Sequence, residues 1–395
     1  MNSFGALRHV TDWKQTRRGV ELAVDRESAR FDFVKQDILR IKVSQGGEFD
    51  ATPTFAVVAD EFGTPEFTCR RTSRGLVLRT SQLTVRIAFV PFHFDVFRAD
   101  DSVVLKSAKK RAYLGNGQEW KVCRTKTSND AILGLGEKTQ PFNHNGRRVS
   151  MWNTDVLGPD TEGSIRVYDD PDSPQSPTSD CFDPDYISIN FFYHLPHKHP
   201  ERAAASFVDC GYKLNYDFTD SRTYEIHGEG GQLTEYVFAG PTIKQILHHY
   251  TELTGRMHPP PLWALGHHQC RGHDYSARDV HELARTYRRK ALPCDVLWLD
   301  IDYMDAYRVF TWNEERFPHH ATMLETLRKR GFRAITIIHP AVKFEPGYAV
   351  FDQDREHNPI RQTAAGAIYP VQGRPGSTRF PAYVHADTRP GPRHL

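Results

Sequence analysis

The string Cys294–Asn313, CDVLWLDIDYMDAYRVFTWN, holds the side chains best suited to chemistry. Asp300 and Asp302 stand two positions apart, which in extended backbone turns both carboxyls to the same side. Two neighbouring carboxyls are what glycosidic bond cleavage asks for, one to donate a proton and one to attack. The same pair could instead cap the next element, bind an arginine or hold sugar hydroxyls, and spacing alone leaves these open. Asp305 reads as a loop residue.

A second string, Trp263–Ser276 (WALGHHQCRGHDYS), gathers His267, His268, His273, Asp274 and Arg271. HHxxxxH is not a metal-ligand spacing, and the chain has 20 histidines, so no metal and no cofactor are expected. Arg271, following a strand, suits a two-pronged grip on a carboxylate. Earlier in the chain come GLGEK (Gly134–Lys138) and MWNTD (Met151–Asp155). An aromatic beside Asn and Asp can line a sugar site, though a turn with an Asx cap is the commoner use of such a loop.

These residues need elements to position them. Up to about residue 240 the apolar side chains alternate: Leu39, Ile41 and Val43 against Arg40 and Lys42, then Leu83, Val85, Ile87 and Phe89, then Phe92, Phe94 and Val96. Tyr186–Tyr193, Leu214–Phe218 and Glu235–Phe238 add further strands. Period two with turn residues between runs predicts an antiparallel β-sandwich over residues 1–240. Gly158–Asp183, rich in Asp, Pro and Ser, reads as one long loop.

At residue 241 the period changes. Thr242 and Gln245 form a capping box for a helix with Ile243, Ile246, Leu247 and Tyr250 on one face, ended by Gly255. With the prolines of Met257–Pro261 it makes a linker, residues 241–261. The stretch 262–395 then alternates: strand Leu262–Gln269, a helix capped by Ser276 and Asp279, buried strand Asp295–Asp300, helix Met323–Arg330 and strand Ala334–Ile338. That order predicts a parallel sheet. Functional groups at each strand end (His268 and Arg271, Asp300 and Asp302, His339) favour a TIM barrel over a doubly wound sheet. Only about 135 residues follow Pro260, whereas a closed barrel needs about 250. The expectation is three to four βα units of an incomplete barrel, with exposed strand edges.

Taken in order, GLGEK, MWNTD, DPDYISINFFY, PPLWALGHHQCR, DVLWLDIDYMD, FTWN, RFP and IIHP resemble glycoside hydrolase family 31 of the α-glucosidase type, over roughly Gly134 to Thr378. The resemblance implies a galactose-mutarotase-like sandwich followed by a catalytic barrel. It implies retaining hydrolysis of terminal α-linked glucosyl residues, with α-glucosides or malto-oligosaccharides as substrates. By the family pattern Trp298 and Asp300 floor the sugar pocket, Asp302 and Arg271 stand beside them, and Asp155 reaches in from the sandwich loop. The family's nucleophile lies in a WxDMNE-like string, and no such string is present. The resemblance thus implies a chain that ends before nucleophile and acid/base: an inactive front half, a carbohydrate-binding fragment, or a half-enzyme completed by a separate carboxy-terminal chain. The sequence departs from the family at Gly272 (usually Trp), at His339 (usually Asp) and in RPGSTRFPA, Arg374–Ala382.

The bulk numbers agree with a globular protein: 39% hydrophobic and 25% charged residues. A net charge of +2 with signs interspersed points to neither nucleic acid nor membrane surface. Six cysteines without a CxxC give no zinc framework or disulfide scaffold. With no signal pattern and no long apolar run, the expected location is the cytoplasm.

Overall fold

The computed structural model describes residues 3–52, 54–59, 62–153, 186–338, 342–357, 370–372 and 379–381. Asp155, His339, the loop Gly158–Asp183 and most of Arg374–Ala382 lie outside the described residues. The chain divides into two compact units, Met1–Met257 and His258–Leu395, each with its own core.

Period two becomes three antiparallel sheets in the first unit. The eight-stranded sheet runs Ala131–Gly134, Phe191–Leu195, Ala204–Val208, Leu233–Phe238, Ile38–Val43, Glu27–Lys35, Gly19–Val24 and Val10–Gln15. A six-stranded sheet has Trp120–Thr125 and Thr223–Gly228 at its centre, and a five-stranded sheet spans Thr68–Arg71 to Val103–Lys106. Leu39, Ile41, Val85, Phe94, Trp120 and Leu214 join one core, each at most 2% exposed. Burial of each such side chain contributes roughly 1.5–3 kcal/mol, which fixes the register, since a one-residue slip would turn the apolar set to solvent.

One polar pair crosses this core. Arg124 and Glu235 meet at 3.0 Å with side chains 1% and 0% exposed. The Ser206 hydroxyl donates to Glu235 at 2.8 Å, and Arg124 donates to the Ala112 carbonyl at 3.0 Å. The glycines of GLGEK have a backbone role. A Cβ on Gly134 (φ 128°) would stand 2.5 Å from the Phe191 carbonyl oxygen, and one on Gly136 (φ 82°) 2.4 Å from that of Ile187. The neighbouring chain passes too closely for any side chain.

Helix α1, Ile243–Thr254, carries the capping box that Thr242 and Gln245 predict, with Gly255 at its end. Its buried residues are Ile246 and Leu253, with the Tyr250 ring stacked on Phe191 at 4.1 Å. Ile243 and Leu247, expected on the packed face, are 41% and 48% exposed. The helix packs on the sandwich through the Ile246–Tyr250–Leu253 stripe instead.

In the second unit three parallel strands, His268–Gln269, Val296–Leu299 and Arg333–Thr336, lie in that order. Helices α2 (Ala277–Arg289) and α3 (His320–Lys329) share a core with them through Val280, Ala284, Leu297, Leu299, Met323 and Leu327. Helix α4, Ala349–His357, adds Phe351 to this core. Leu262–Gln269 is not one strand as expected. Leu262–Leu265 is a 3₁₀ turn with Leu262 85% exposed, and only His268–Gln269 pairs. The intervening Gly266 passes so close to Asp295 that a Cβ would sit 1.9 Å from its carboxyl oxygen. Three described strands do not close a barrel. Among the described residues no helix is long and apolar enough to cross a membrane.

Candidate functional site

The strand Val296–Leu299 sorts its side chains by alternation. Leu297 and Leu299, each 2% exposed, join the core with α2 and α3, so Trp298 takes the opposite face. There its indole N–H donates to Nδ1 of His268 on the neighbouring strand at 3.2 Å. Accepting at Nδ1 puts the proton of a neutral imidazole on Nε2. That Nε2 is buried without a partner among the described residues, which leaves a donor open. The Trp263 ring lies nearly parallel to His268, centroids 6.5 Å apart.

Asp300 stands one residue past the strand's carboxyl end. Its Oδ1 accepts from the Ile301 N–H at 2.7 Å and so caps the 3₁₀ turn Ile301–Tyr303. The other oxygen, Oδ2, is the one neighbour, at 3.6 Å, that a Cβ on exposed Gly272 would meet. The carboxylate is thus held by one oxygen and can accept with the other across open space. Arg271, next to that glycine, is exposed and makes no ion pair among the described residues. It holds no carboxylate here, and its five donors remain available.

Asp302 does not share a strand face with Asp300. The chain has already turned, because the Asp300 side chain caps the turn in which Asp302 sits, and extended geometry no longer applies. Asp302 accepts instead from the Tyr307 hydroxyl at 3.1 Å. Partial burial, and then the Asp302 carboxylate, push the Tyr307 phenol above its ordinary value. Ala306, Tyr307 and Phe310 all have left-handed backbone, φ 46°, 60° and 62°. Each such non-glycine residue costs of order 1–3 kcal/mol, and such strain collects at functional loops.

Trp312 and Asn313, the end of the first string, hold this loop in shape. The Trp312 ring stacks on His320 at 4.7 Å and tilts against Tyr303 at 4.9 Å. The Asn313 side chain accepts from the Arg316 N–H at 3.0 Å. Arg316 reaches the Asp274 carboxylate at 3.3 Å and also donates to its carbonyl, joining both strings. Sequence reasoning placed Asp300 at a strand's carboxyl end, where the structure has it, but it missed Tyr307, Arg316 and the bonded state of His268. The only signal for Arg316 was its place in RFP; Tyr307 carried none.

What this cluster can do is hold hydroxyls: one open carboxylate oxygen, an imidazole donor, a free guanidinium and a tyrosine-fixed carboxylate around an aromatic ring. Asp155 lies outside the described residues.

Comparison with known proteins follows the two units. A model of the glycosyl hydrolases family 31 TIM-barrel domain matches residues 257–390. A model of the glycosyl hydrolase 31 N-terminal galactose mutarotase-like domain matches residues 28–170. The chain is 32% identical to alpha-glucosidase 2 of Bacillus thermoamyloliquefaciens over 396 aligned positions, 98% of this chain and 46% of that protein. It is 29% identical to an alpha-glucosidase of Saccharolobus solfataricus, covering 65% of this chain and 34% of that one. In structure it is similar to a GH31 dextranase of Flavobacterium johnsoniae complexed with isomaltotriose. There the TM-score is 0.83 at 22% identity, over 96% of this chain and 44% of that one; at that identity the likeness speaks for the fold alone. The chain spans less than half the length of each of these relatives.

Proposed function

Since the chain belongs to glycoside hydrolase family 31, we propose that its second unit holds the terminal glucosyl residue of an α-glucoside for retaining hydrolysis. Asp300 accepts the sugar's hydroxyls through Oδ2, Trp298 and His268 form the floor, and Asp302, fixed by Tyr307, and Arg271 stand beside it. The family pattern adds Asp155 as a further sugar-binding residue. The observation that carries this is Asp300 at the carboxyl end of a parallel strand, where barrel enzymes place their working groups, with one oxygen tied and the other open. None of the carboxyls in this cluster is the nucleophile. That group and the acid/base belong to a WxDMNE-like string and a later Asp, which these 395 residues do not contain.

Maltose titration and p-nitrophenyl α-glucoside hydrolysis test the reading together. The purified chain is expected to bind maltose, to lose affinity by about tenfold in Asp300→Asn, the worth of a charge-assisted hydrogen bond, and to release no nitrophenol. Asn keeps the oxygen that caps Ile301, so the fold survives. Turnover abolished by Asp300→Asn would mean that a carboxylate present here does the chemistry. Maltose affinity equal in both chains would remove Asp300 from the site. A second reading is a sugar-binding protein without hydrolysis or a half-enzyme completed by a separate chain; activity restored by a partner carrying the WxDMNE-like string would select the latter.

A further inference from the structure

The outer face of the eight-stranded sheet changes character along its strands. At one end Ile38, Ala205, Phe207 and Phe238 cluster with Ile246 and Leu253 of α1. At the other end the same strands present Arg40 and Lys42, paired in register with Tyr236 and Thr234, and the chain just past Val208 adds Asp209. Asp50–Thr52 and Thr54–Ala59 border this polar end, and a cavity of about 910 Å³ remains there, within the range of roughly 300–1,000 Å³ typical of ligand sites.

This border is tied in place by short polar links. The Asp50 N–H donates to the Gln232 side chain and receives that amide's N–H at its own carbonyl, both at 3.0 Å. The Thr54 hydroxyl donates to Asp209 at 2.7 Å, and the Val58 N–H to the Leu253 carbonyl at 3.0 Å. Charge inside is compensated: Arg40 pairs with Asp32 at 2.9 Å, and Lys42 acts electrostatically on both Asp50 and Asp209. Burial above all raises the Asp209 carboxyl. Among the described residues an ion would find no uncompensated partner, whereas an uncharged polyol would find donors and acceptors of every kind.

The aromatic wall is built for a flat partner. Tyr212, 58% exposed, lies across Gly230 and Gly231, where added Cβ atoms would come within 2.4 and 2.9 Å of its ring. Only this glycine pair lets the ring lie so low. A sugar's apolar face can then stack on what is exposed.

We propose that this cavity is a second carbohydrate site, taking an uncharged oligosaccharide that stacks on Tyr212 while Asp209, Lys42 and Gln232 meet its hydroxyls. All its residues belong to the first unit and none is shared with the Asp300 cluster, so it goes beyond the reading above. Calorimetric titration of maltotriose into the 395-residue chain tests it, in Asp300→Asn, Tyr212→Ala, Asp209→Asn and Asp300→Asn/Tyr212→Ala variants. Saturable binding is expected to persist in Asp300→Asn and to fall about tenfold when Tyr212→Ala is added, as loss of an aromatic platform implies. Asp209→Asn, which preserves shape, is expected to weaken it too. No saturable binding in Asp300→Asn overturns the proposal. So does binding indifferent to Tyr212→Ala and Asp209→Asn with thermal melts unchanged, or displacement of the sugar by inorganic phosphate. Failure of the Asp300 reading alone looks different: Asp300→Asn then binds as wild type, and Tyr212→Ala alone is weakened as much as Asp300→Asn/Tyr212→Ala.

Discussion

The Glu235 carboxyl is fully buried, and Arg124 and Ser206 together satisfy it. Removing one partner strands the other: Glu235→Ala is expected to cost about 3–5 kcal/mol, read as a lower urea midpoint. Arg124→Met/Glu235→Leu, which removes both charges, is expected to recover most of that loss, since apolar replacement of a buried pair is often neutral. Tyr307 makes a smaller case. Tyr307→Phe deletes the hydroxyl that fixes Asp302 and is expected to weaken maltose binding about fivefold, the net worth of one hydrogen bond, with the melting curve unmoved. Asp300 was legible in the sequence because strand ends are where working groups collect. The relation between Asp300 and Asp302 was not, because whether Asp300 caps its own turn depends on a local hydrogen bond that spacing does not encode.

Helix starts were the most legible elements, since a capping box is a short, local pattern. Both are present, at Thr242 with Gln245 and at Ser276 with Asp279. Ser276→Ala is expected to cost about 1 kcal/mol, measured as a shift in the urea midpoint. The faces of α1 were harder to read, because Ile243, Ile246, Leu247 and Leu253 are all apolar and only the sheet beneath decides which are covered. The strand at Leu262–Gln269 was misread for the same reason: the close pass of Gly266 by Asp295 is a tertiary event.

Helix α1 also carries a titration. His249 bonds to Asp37 at 3.1 Å and to Glu252 at 3.2 Å, with the Lys35 ammonium nearby. The Asp37 hydrogen bond first of all raises its value above the ordinary 6.5, against burial and Lys35. Folding therefore favours the protonated ring. That contribution is fully present below the ordinary value and is lost as pH rises through the raised one. The stability gap between wild type and His249→Gln is expected to be widest below the ordinary value of 6.5 and to narrow as pH rises through the raised one, followed by urea melts at each pH.

At the scale of the whole chain, the two units meet in sequence at Met257 and His258, next to an exposed Arg256. Trypsin is expected to cut there early and release a fragment of the first unit that keeps its β-type circular dichroism; early cutting inside the strands would contradict that. The second unit carries Leu262, Leu265, Phe310 and Ile338 at 85%, 71%, 71% and 51% exposure. Its three-stranded sheet has two edges that pair with no other strand among the described residues. Such surfaces favour self-association, so light scattering of the purified chain is expected to rise with concentration.

The Arg124–Glu235 pair has one more effect, on assembly. Its members are 111 positions apart and sit on strands of different sheets, Trp120–Thr125 and Leu233–Phe238. Most of the apolar core would tolerate approximate alignment, since one oily side chain replaces another at modest cost. The ions would not. Shifting either strand by two residues, which keeps its apolar side chains inward, carries the charged group about 7 Å from its partner and leaves both alone in an apolar interior. The pair therefore works as an alignment pin: it rejects near-miss dockings of the two sheets that hydrophobic contact alone would accept.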